Sequence, residues 1–534
     1  MIKSLTDIED GTHIDTDVCI IGGGVAGQTL AISLAGSGLD VTVLESGDKD
    51  FRSDIQNMMF GENIGHEYYE LINSRLRLFG GTAAIWGGRC AELDEIDFEK
   101  RKWVKHSGWP IKKTDLDPYY AEVFRSLGLP RPGEGGDLWD ETGRMRPEFD
   151  PKKLEAGLWV FDENGERFTD TRRAGLESAN IILNATVTAI NLKDSGAVES
   201  VNVQSLNKVS ATVRAKTFVL AAGGIETIRL LMAAVPNRPE GFGNEHDQLG
   251  RFFMEHPHGR GGEIIPTKLV QTLAAMPRSI RVDGTRYVAY IRPSPELQEK
   301  HGILNTSISL SSSRRVGEAM ELHRKIVSTA TYNLPSKKVF RRIFRILKYA
   351  AIRSLEITEP YSTAVNLKRS RGKMGLFASI RAEQAPNPDS RIILTNDTDA
   401  LGLRRVALDW QFSDIDRESV RVLMQALGEE YERLGWGHVV PSDWLSNPEI
   451  DWETDSLISY HSIGGYHHMG GTRMSANAKT GVVDKNCRLH ASPNLYVASS
   501  SVFTTSGWAN PTATIMALSL RLGDHLRQKH AKAS

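Results

Sequence analysis

The sequence predicts an α/β Rossmann-type domain assembled from separated stretches, joined to an α+β domain built on an antiparallel sheet. Three observations predict it. Residues 16–46 run strand, glycine turn, helix, strand. A second strand–glycine–helix junction follows at 216–231. Between 261 and 455 the texture changes to short alternating strand-like pieces with helices between them. With 534 residues the chain exceeds one core, since single cores rarely grow past about 250–300 residues.

The first unit opens on Val18-Cys19-Ile20-Ile21, a β-branched run ending in Gly22-Gly23-Gly24-Val25-Ala26-Gly27. Gly22, Gly24 and Gly27 satisfy G-x-G-x-x-G. Residues 26–37, small and apolar, read as the helix, and 40–44 as the second strand, closed by Glu45. Alone the glycine pattern is weak. Strand before, helix after and an acid at the end of the next strand are the context it needs to hold a dinucleotide. The glycines admit a pyrophosphate, and free N–H groups at the helix start face the anion. Glu45 can accept from both ribose hydroxyls, which favours FAD or NAD over a 2′-phosphorylated cofactor.

Phe79 to Gly88 carries two glycine pairs around Trp86, which suits a loop lying along a flat ligand and neither a helix nor a central strand. A tight structural turn is the plainer reading. Residues 103–120 read as a turn into a helix capped by Thr114, with Asp115 and Asp117 in its first turn. Residues 180–192 alternate as one strand. Residues 217–222 form another, ending at Gly223-Gly224. Strands are expected at 303–310, 376–381 and 391–395, and an amphipathic helix at 414–434. A further helix is expected at 337–353, with Phe340, Ile343, Phe344 and Leu347 on one face and Lys338, Arg341, Arg342, Arg345 and Lys348 on the other. Such a helix can lie on an anionic membrane surface or a partner, or simply pack on its own domain.

Composition excludes several classes. Lys+Arg 65 against Asp+Glu 66 leaves a net charge of −1, so no whole-protein footprint for nucleic acid exists. No apolar run reaches the roughly 18 residues of a membrane span. The polar, acidic start lacks the pattern of a secretory signal. Cys19, Cys90 and Cys487 lie far apart, which argues against a disulfide framework, a zinc ribbon or an iron–sulfur cluster. A reducing, cytoplasmic setting is expected.

The most specific block is C-terminal: Tyr466-His467-His468-Met469-Gly470-Gly471-Thr472-Arg473-Met474, then Ala498-Ser499-Ser500, then Trp508-Ala509-Asn510-Pro511-Thr512 before a helix to about 529. The His–His pair has no accompanying ligand set for a metal, and none is expected. Pro511 at a helix start leaves N–H groups free for an anionic or electron-rich partner.

Over nearly its whole length the chain resembles the glucose–methanol–choline (GMC) flavoprotein oxidoreductases. The dinucleotide turn, the 79–88 loop, 107–120, 221–229, 250–257 and 466–515 match in order, with the sugar-oxidising and pyranose-oxidase-like members nearest. The resemblance implies FAD in a split domain, taken as 1–100, 176–260 and 456–534. The substrate domain is then 101–175 with 261–455. It implies His468 as catalytic base and Asn510 as its partner, both facing the flavin, with His467 structural. It also implies cofactor contacts from Gly81, Thr82, Trp86, Gly87, Val187, Ala222, Gly223, Ser499, Asn510 and Thr512. The neutral imidazole takes the hydroxyl proton while the amide orients the oxygen. Ile85 stands where some pyranose oxidases carry the histidine that bonds FAD covalently, so non-covalent FAD is expected. Ala498-Ser499-Ser500 departs from the usual pyrophosphate-contacting residues.

The expected reaction is oxidation of a sugar or glycoside hydroxyl to a carbonyl, with O2 or an external acceptor reoxidising the flavin. The same chemistry on a sterol or aliphatic alcohol is the alternative. A non-catalytic flavoprotein subunit docking through 337–353 is a third reading, against which an intact base and amide argue.

Overall fold

A computed structural model describes residues 1–132, 139–140, 144, 146–314, 361–450, 452 and 464–533. The basic helix expected at 337–353 lies outside them.

The first sheet has eight strands. Ile2–Ser4, Asn180–Leu183, Val41–Leu44, Thr12–Ile21 and Ser210–Leu220 lie side by side and parallel. The inner halves are buried on both faces. Val18 and Ile20 pack toward Leu30, Leu522 and Leu526, and Cys19 and Ile21 toward the larger core on the other side. This is why these runs are continuously apolar rather than alternating. The strand Ser210–Leu220 serves two partners. Its first half pairs antiparallel with Val198–Gln204, and its end pairs parallel with Leu495–Val497. The helix Thr512–Ala533 lies on the helix Val25–Ser33. Gly523 makes the contact close, since an added Cβ would sit 2.0 Å from the Ser33 hydroxyl.

The second sheet is antiparallel, in the order Gly437–Pro441, His258–Pro266, Met374–Arg381, Ser307–Arg314, Thr285–Pro293, Leu154–Phe161 and Arg89–Cys90. Its strands alternate by face. Leu158, Val160, Ala289, Ile291, Ile308, Ala378 and Ile380 pack under the helix Asp414–Arg433 through Val420, Leu423, Met424 and Leu427. The opposite face carries Trp159, Phe161, Arg286, Ser309 and Arg381 and looks toward the first unit. A three-stranded sheet, Arg391–Thr398, Arg404–Asp409 and Gly61–Asn63, flanks both.

Several elements differ from expectation. The strand foreseen at 180–192 is two strands, Asn180–Leu183 and Thr186–Leu192, on different parts of the sheet. Asn184 breaks it with a left-handed φ of 57°, a conformation asparagine tolerates. Thr114 caps nothing. Lys113–Asp115 is a 3₁₀ turn and the helix is Asp117–Leu127, with Pro118 in its first turn. Arg89–Cys90, placed by sequence with the first domain, pairs into the second sheet. Asp117–Leu127, placed with the second, packs on Thr512–Ala533.

The loop before the glycine-rich 79–88 segment is clamped by one carboxylate. Glu226, on the helix Gly223–Ala233, takes Arg75 at 2.8 Å, Arg77 at 2.6 Å and Arg229 at 3.3 Å, all buried. Burial opposes the charge, but Arg77, Arg229 and Arg75 outweigh it and hold the carboxyl well below its ordinary value. A depressed carboxyl adds stability above the unfolded pKa and loses it as pH falls toward the depressed one. Urea unfolding is therefore expected to ease below about pH 4.5, near the unfolded value. Glu226→Ala, which strands three buried guanidinium groups, is expected to lose about 3–5 kcal/mol in the same assay at neutral pH.

Candidate active site

The ends of the parallel strands gather the residues expected to hold a dinucleotide. Gly22 ends its strand at φ 116°, where an added Cβ would lie 2.4 Å from the Ala221 oxygen. At Gly27 it would lie 2.0 Å from the Gly22 oxygen, so only glycine lets the helix sit against the turn. Gly24 is different. Its nearest neighbour is the Gly81 Cα at 4.0 Å, and Gly24 bridges Gly80, so the 79–88 loop runs beside the open turn. Gly87 and Gly223 also face space free of protein atoms within 4 Å. Glu45 accepts from the Gly23 N–H at 2.8 Å and the Gly47 N–H at 2.6 Å, leaving each oxygen a further lone pair. Val187 follows Thr186, whose hydroxyl shares a hydrogen bond with Ser46 just past Glu45. Ala222 precedes the helix Gly223–Ala233, and Thr512 opens the C-terminal helix. The Trp86 indole N–H is buried without a partner. These residues fit an extended dinucleotide with its pyrophosphate at the start of Val25–Ser33. Two expected residues are engaged locally: the Thr82 hydroxyl accepts from the Leu76 N–H, and the Ser499 hydroxyl caps the Ser501 N–H.

The expected pair His468–Asn510 is not the pair the structure joins. Asn510 Nδ2 lies 3.0 Å from Nε2 of His467. His468 turns to Tyr68, with Nε2 3.0 Å from the hydroxyl. Consecutive side chains of an extended segment point to opposite sides, so adjacent histidines cannot both face one amide. The left-handed turn at Tyr466, φ 61°, sets which one does, and Tyr466 is stacked on Tyr69 at 4.3 Å.

The proton positions follow from the acceptors. His256 Nε2 is 2.8 Å from the Gly507 carbonyl oxygen. A carbonyl only accepts, so Nε2 carries the proton. Burial holds His256 neutral, pulling its pKa down to about 4. Its Nδ1 is then a lone pair, 2.8 Å from His467 Nδ1, which must donate. His467 Nε2 is left unprotonated and accepts from Asn510. Burial, with His256, Arg381 and Arg89 nearby, keeps His467 well below its ordinary pKa. A hydroxyl entering between the two can give its proton to Nε2 and accept from the amide.

Glu255 holds this arrangement. It accepts the backbone N–H of His256 at 2.6 Å, of Gly465 at 2.9 Å and of His467 at 2.7 Å. It also accepts the Tyr68 hydroxyl at 2.6 Å. Tyr68 donates there, so its oxygen accepts from His468 Nε2–H.

Beside this cluster the free face of the second sheet is cationic. The Arg89 guanidinium lies 4.5 Å over the Trp159 ring and 5.2 Å from Phe161. Arg286 is 4.5 Å over Phe161, and Arg381 is 5.3 Å from Trp159. The charges acting on Arg89, after burial itself, are those of Arg381 and Arg286, all lowering its pKa. Among the described residues Arg89 has no ion pair, and its Nε has no hydrogen bond. Stacking on rings offsets about 0.5–2 kcal/mol per contact, less than the several kcal/mol of desolvating an ion. His258, 6% exposed, has no partner for either ring nitrogen.

Tyr68, Arg89, Glu255, His256, His258 and Arg381 were not singled out by sequence reasoning. Glu255-His256-Pro257-His258 held a usable signal: proline makes the preceding residue extended, which sends the two histidines to alternating sides.

Comparison with known proteins completes the picture. A family model described as FAD dependent oxidoreductase matches residues 17–296, more than half of the chain, and one described as GMC oxidoreductase matches 386–519. The fructose dehydrogenase large subunit of Gluconobacter japonicus is 24% identical, over 96% of this chain and 97% of that one. The 2-methyl-1,2-propanediol dehydrogenase of Mycolicibacterium austroafricanum is 24% identical, over 96% and 95%. The paromamine 6'-oxidase of Streptomyces fradiae is 22% identical, over 95% and 90%. Formate oxidase shares the fold, with a TM-score of 0.55, 15% identity and coverage of 99% and 100%. Pyridoxine 4-oxidase from Mesorbium loti does so at 0.53, with 17% identity and coverage of 96% and 99%. Gly27→Ala is expected to purify with much less flavin absorbance per mole of protein. Because Ile85 precedes Trp86, denaturing the wild type is expected to release all its flavin to the filtrate; colour retained by the precipitate would contradict this.

Proposed function

As a member of the GMC oxidoreductases, which are FAD-dependent, the chain is an enzyme acting on CH–OH donors, and we propose that its donor is a hydroxyl of a sugar or glycoside, oxidised to the carbonyl. One observation carries the reading: the unprotonated Nε2 of His467 faces the Asn510 amide N–H, with the tautomer set by His256. The hydroxyl displaces that hydrogen bond. Its proton passes to Nε2 and its oxygen stays on the amide, which holds the developing alkoxide. FAD, when bound, accepts the hydride from the same carbon. Gly22, Gly24, Gly27, Glu45, the 79–88 loop and the start of Thr512–Ala533 are the residues to hold it. His467 takes the role that the sequence assigned to His468, while Asn510 keeps its own.

The sugar reading is supported by relatives named for fructose and paromamine, and by the serines and aromatic rings of the free sheet face. The relative named for 2-methyl-1,2-propanediol favours a second reading, the same chemistry on a small non-sugar alcohol. Relatives named oxidase and dehydrogenase both occur, so the acceptor is proposed as O2 or an external carrier.

Anaerobic mixing of the yellow protein with monosaccharides, glycosides and simple alcohols tests this. Bleaching by a sugar supports the reading, bleaching only by simple alcohols moves it to the second, and admitting air separates oxidase from dehydrogenase. His467→Ala is expected to lower kcat by about 10²–10⁴-fold, the usual worth of a general base. His468→Ala should lose far less; the reverse order would return the base to His468. Since the pKa of His467 is depressed, its proton-accepting form persists as pH falls. The kcat/KM profile should therefore stay level through the ordinary histidine value of about 6.5.

A further inference from the structure

The reaction pair sits beside buried positive charge that no protein group neutralises. Arg89 has aromatic faces beneath it and two like charges beside it. Its strand pairs with Leu154–Phe161, Arg89 opposite Phe161, which puts it on the sheet face that looks at the site. Trp159 from the same face lies 5.6 Å from Trp508, two residues before Asn510. His258 stands opposite Arg381 in the sheet register. The Gly465 backbone is the only thing between His258 and His467: a Cβ there would lie 3.0 Å from His258 Nε2 and 2.9 Å from His467 Nδ1. His258 is nine-tenths buried with both nitrogens unpartnered.

A neutral sugar leaves this cluster as it is. An anionic oxygen group cures it, because a guanidinium fork and an imidazole N–H both donate to carboxylate or phosphate. We propose that Arg89, Arg381 and His258 form an anion subsite next to His467 and Asn510, and that the natural substrate is a hydroxyl compound carrying a carboxylate or phosphate, such as a sugar acid. Arg381 also donates to Ser309 at 3.1 Å, which fixes one side of its fork. The proposal rests on the proposed reaction only for the word substrate. The subsite itself is a statement about binding.

The experiment uses the FAD-loaded enzyme and matched probes: D-glucose and D-sorbitol as neutral compounds, D-gluconate and D-glucuronate as carboxylates, glucose 6-phosphate as the phosphate. Binding is read by isothermal titration and by shift of the melting temperature, and turnover by anaerobic flavin bleaching. At least one acid is expected to bind about tenfold or more tighter than its neutral counterpart, as charge-assisted contacts give. Carboxylates against phosphate decide which anion it is. In Arg89→Gln the acid-to-neutral affinity ratio is expected to collapse toward one, with Arg89→Lys restoring part of it. Equal affinity for acids and neutral compounds in the wild type overturns the proposal, even if Arg89→Gln fails to fold. Bleaching by neutral sugars alone, with no acid preference, overturns it and leaves the proposed reaction standing. Tight acid binding with no bleaching by any compound keeps the subsite and removes the reaction.

Discussion

Four donors converge on the buried carboxylate of Glu255, and the site depends on that convergence. Three are backbone N–H groups, from His256, Gly465 and His467, and the fourth is the Tyr68 hydroxyl. They come from three stretches of chain separated by about two hundred residues each. Burial pushes the Glu255 pKa up, and the donors oppose it. Each donor is itself buried or nearly so, and leaving one unpaired costs about 1–3 kcal/mol. The carboxylate therefore does for the two histidines what a helix cap does for a helix. It satisfies backbone groups in an irregular segment that has no ladder of its own, and so fixes where His467 and His468 point.

Around that anchor the two sheets divide the work. The parallel sheet offers the ends of its strands and glycines that keep the backbone bare. The antiparallel sheet offers one face, with alternate residues committed to the core under Asp414–Arg433. Strand periodicity explains how one element can be both: Leu158 and Val160 are core, while Trp159 and Phe161 support arginines over the site. Segments that cross between the sheets carry the chemistry, because Arg89 follows the cofactor loop and Trp508 precedes Asn510.

Most of the fold was legible because it is written locally. The turn at Gly22–Gly27 with Glu45 declares its use through spacing, and the long helices through periodicity. The split of 180–192 was hidden because Asn184 is one polar residue in an apolar run, and its left-handed turn follows from tertiary contacts. The reaction pair was legible to within one residue. Two adjacent histidines are chemically identical in sequence, and only the turn at Tyr466 and the His256 contact separate them. The cationic face was illegible for another reason. Arg89, Arg286 and Arg381 lie up to 292 positions from one another, and only strand pairing assembles them.

The pairing of Leu495–Val497 with the end of Ser210–Leu220, and of the last helix with the first, has a consequence for how the molecule is made. Arg527 donates to the Ser33 carbonyl across 494 positions of chain. Until the ribosome has delivered residues 495–533, the strand ending at Leu220 lacks a neighbour and the helix behind the glycine turn lacks its cover. Contacts of such sequence separation form slowly, since the loop between them must close first. Cofactor capture is thereby deferred to the end of synthesis, and the N-terminal glycine turn spends translation as an incomplete half of a site.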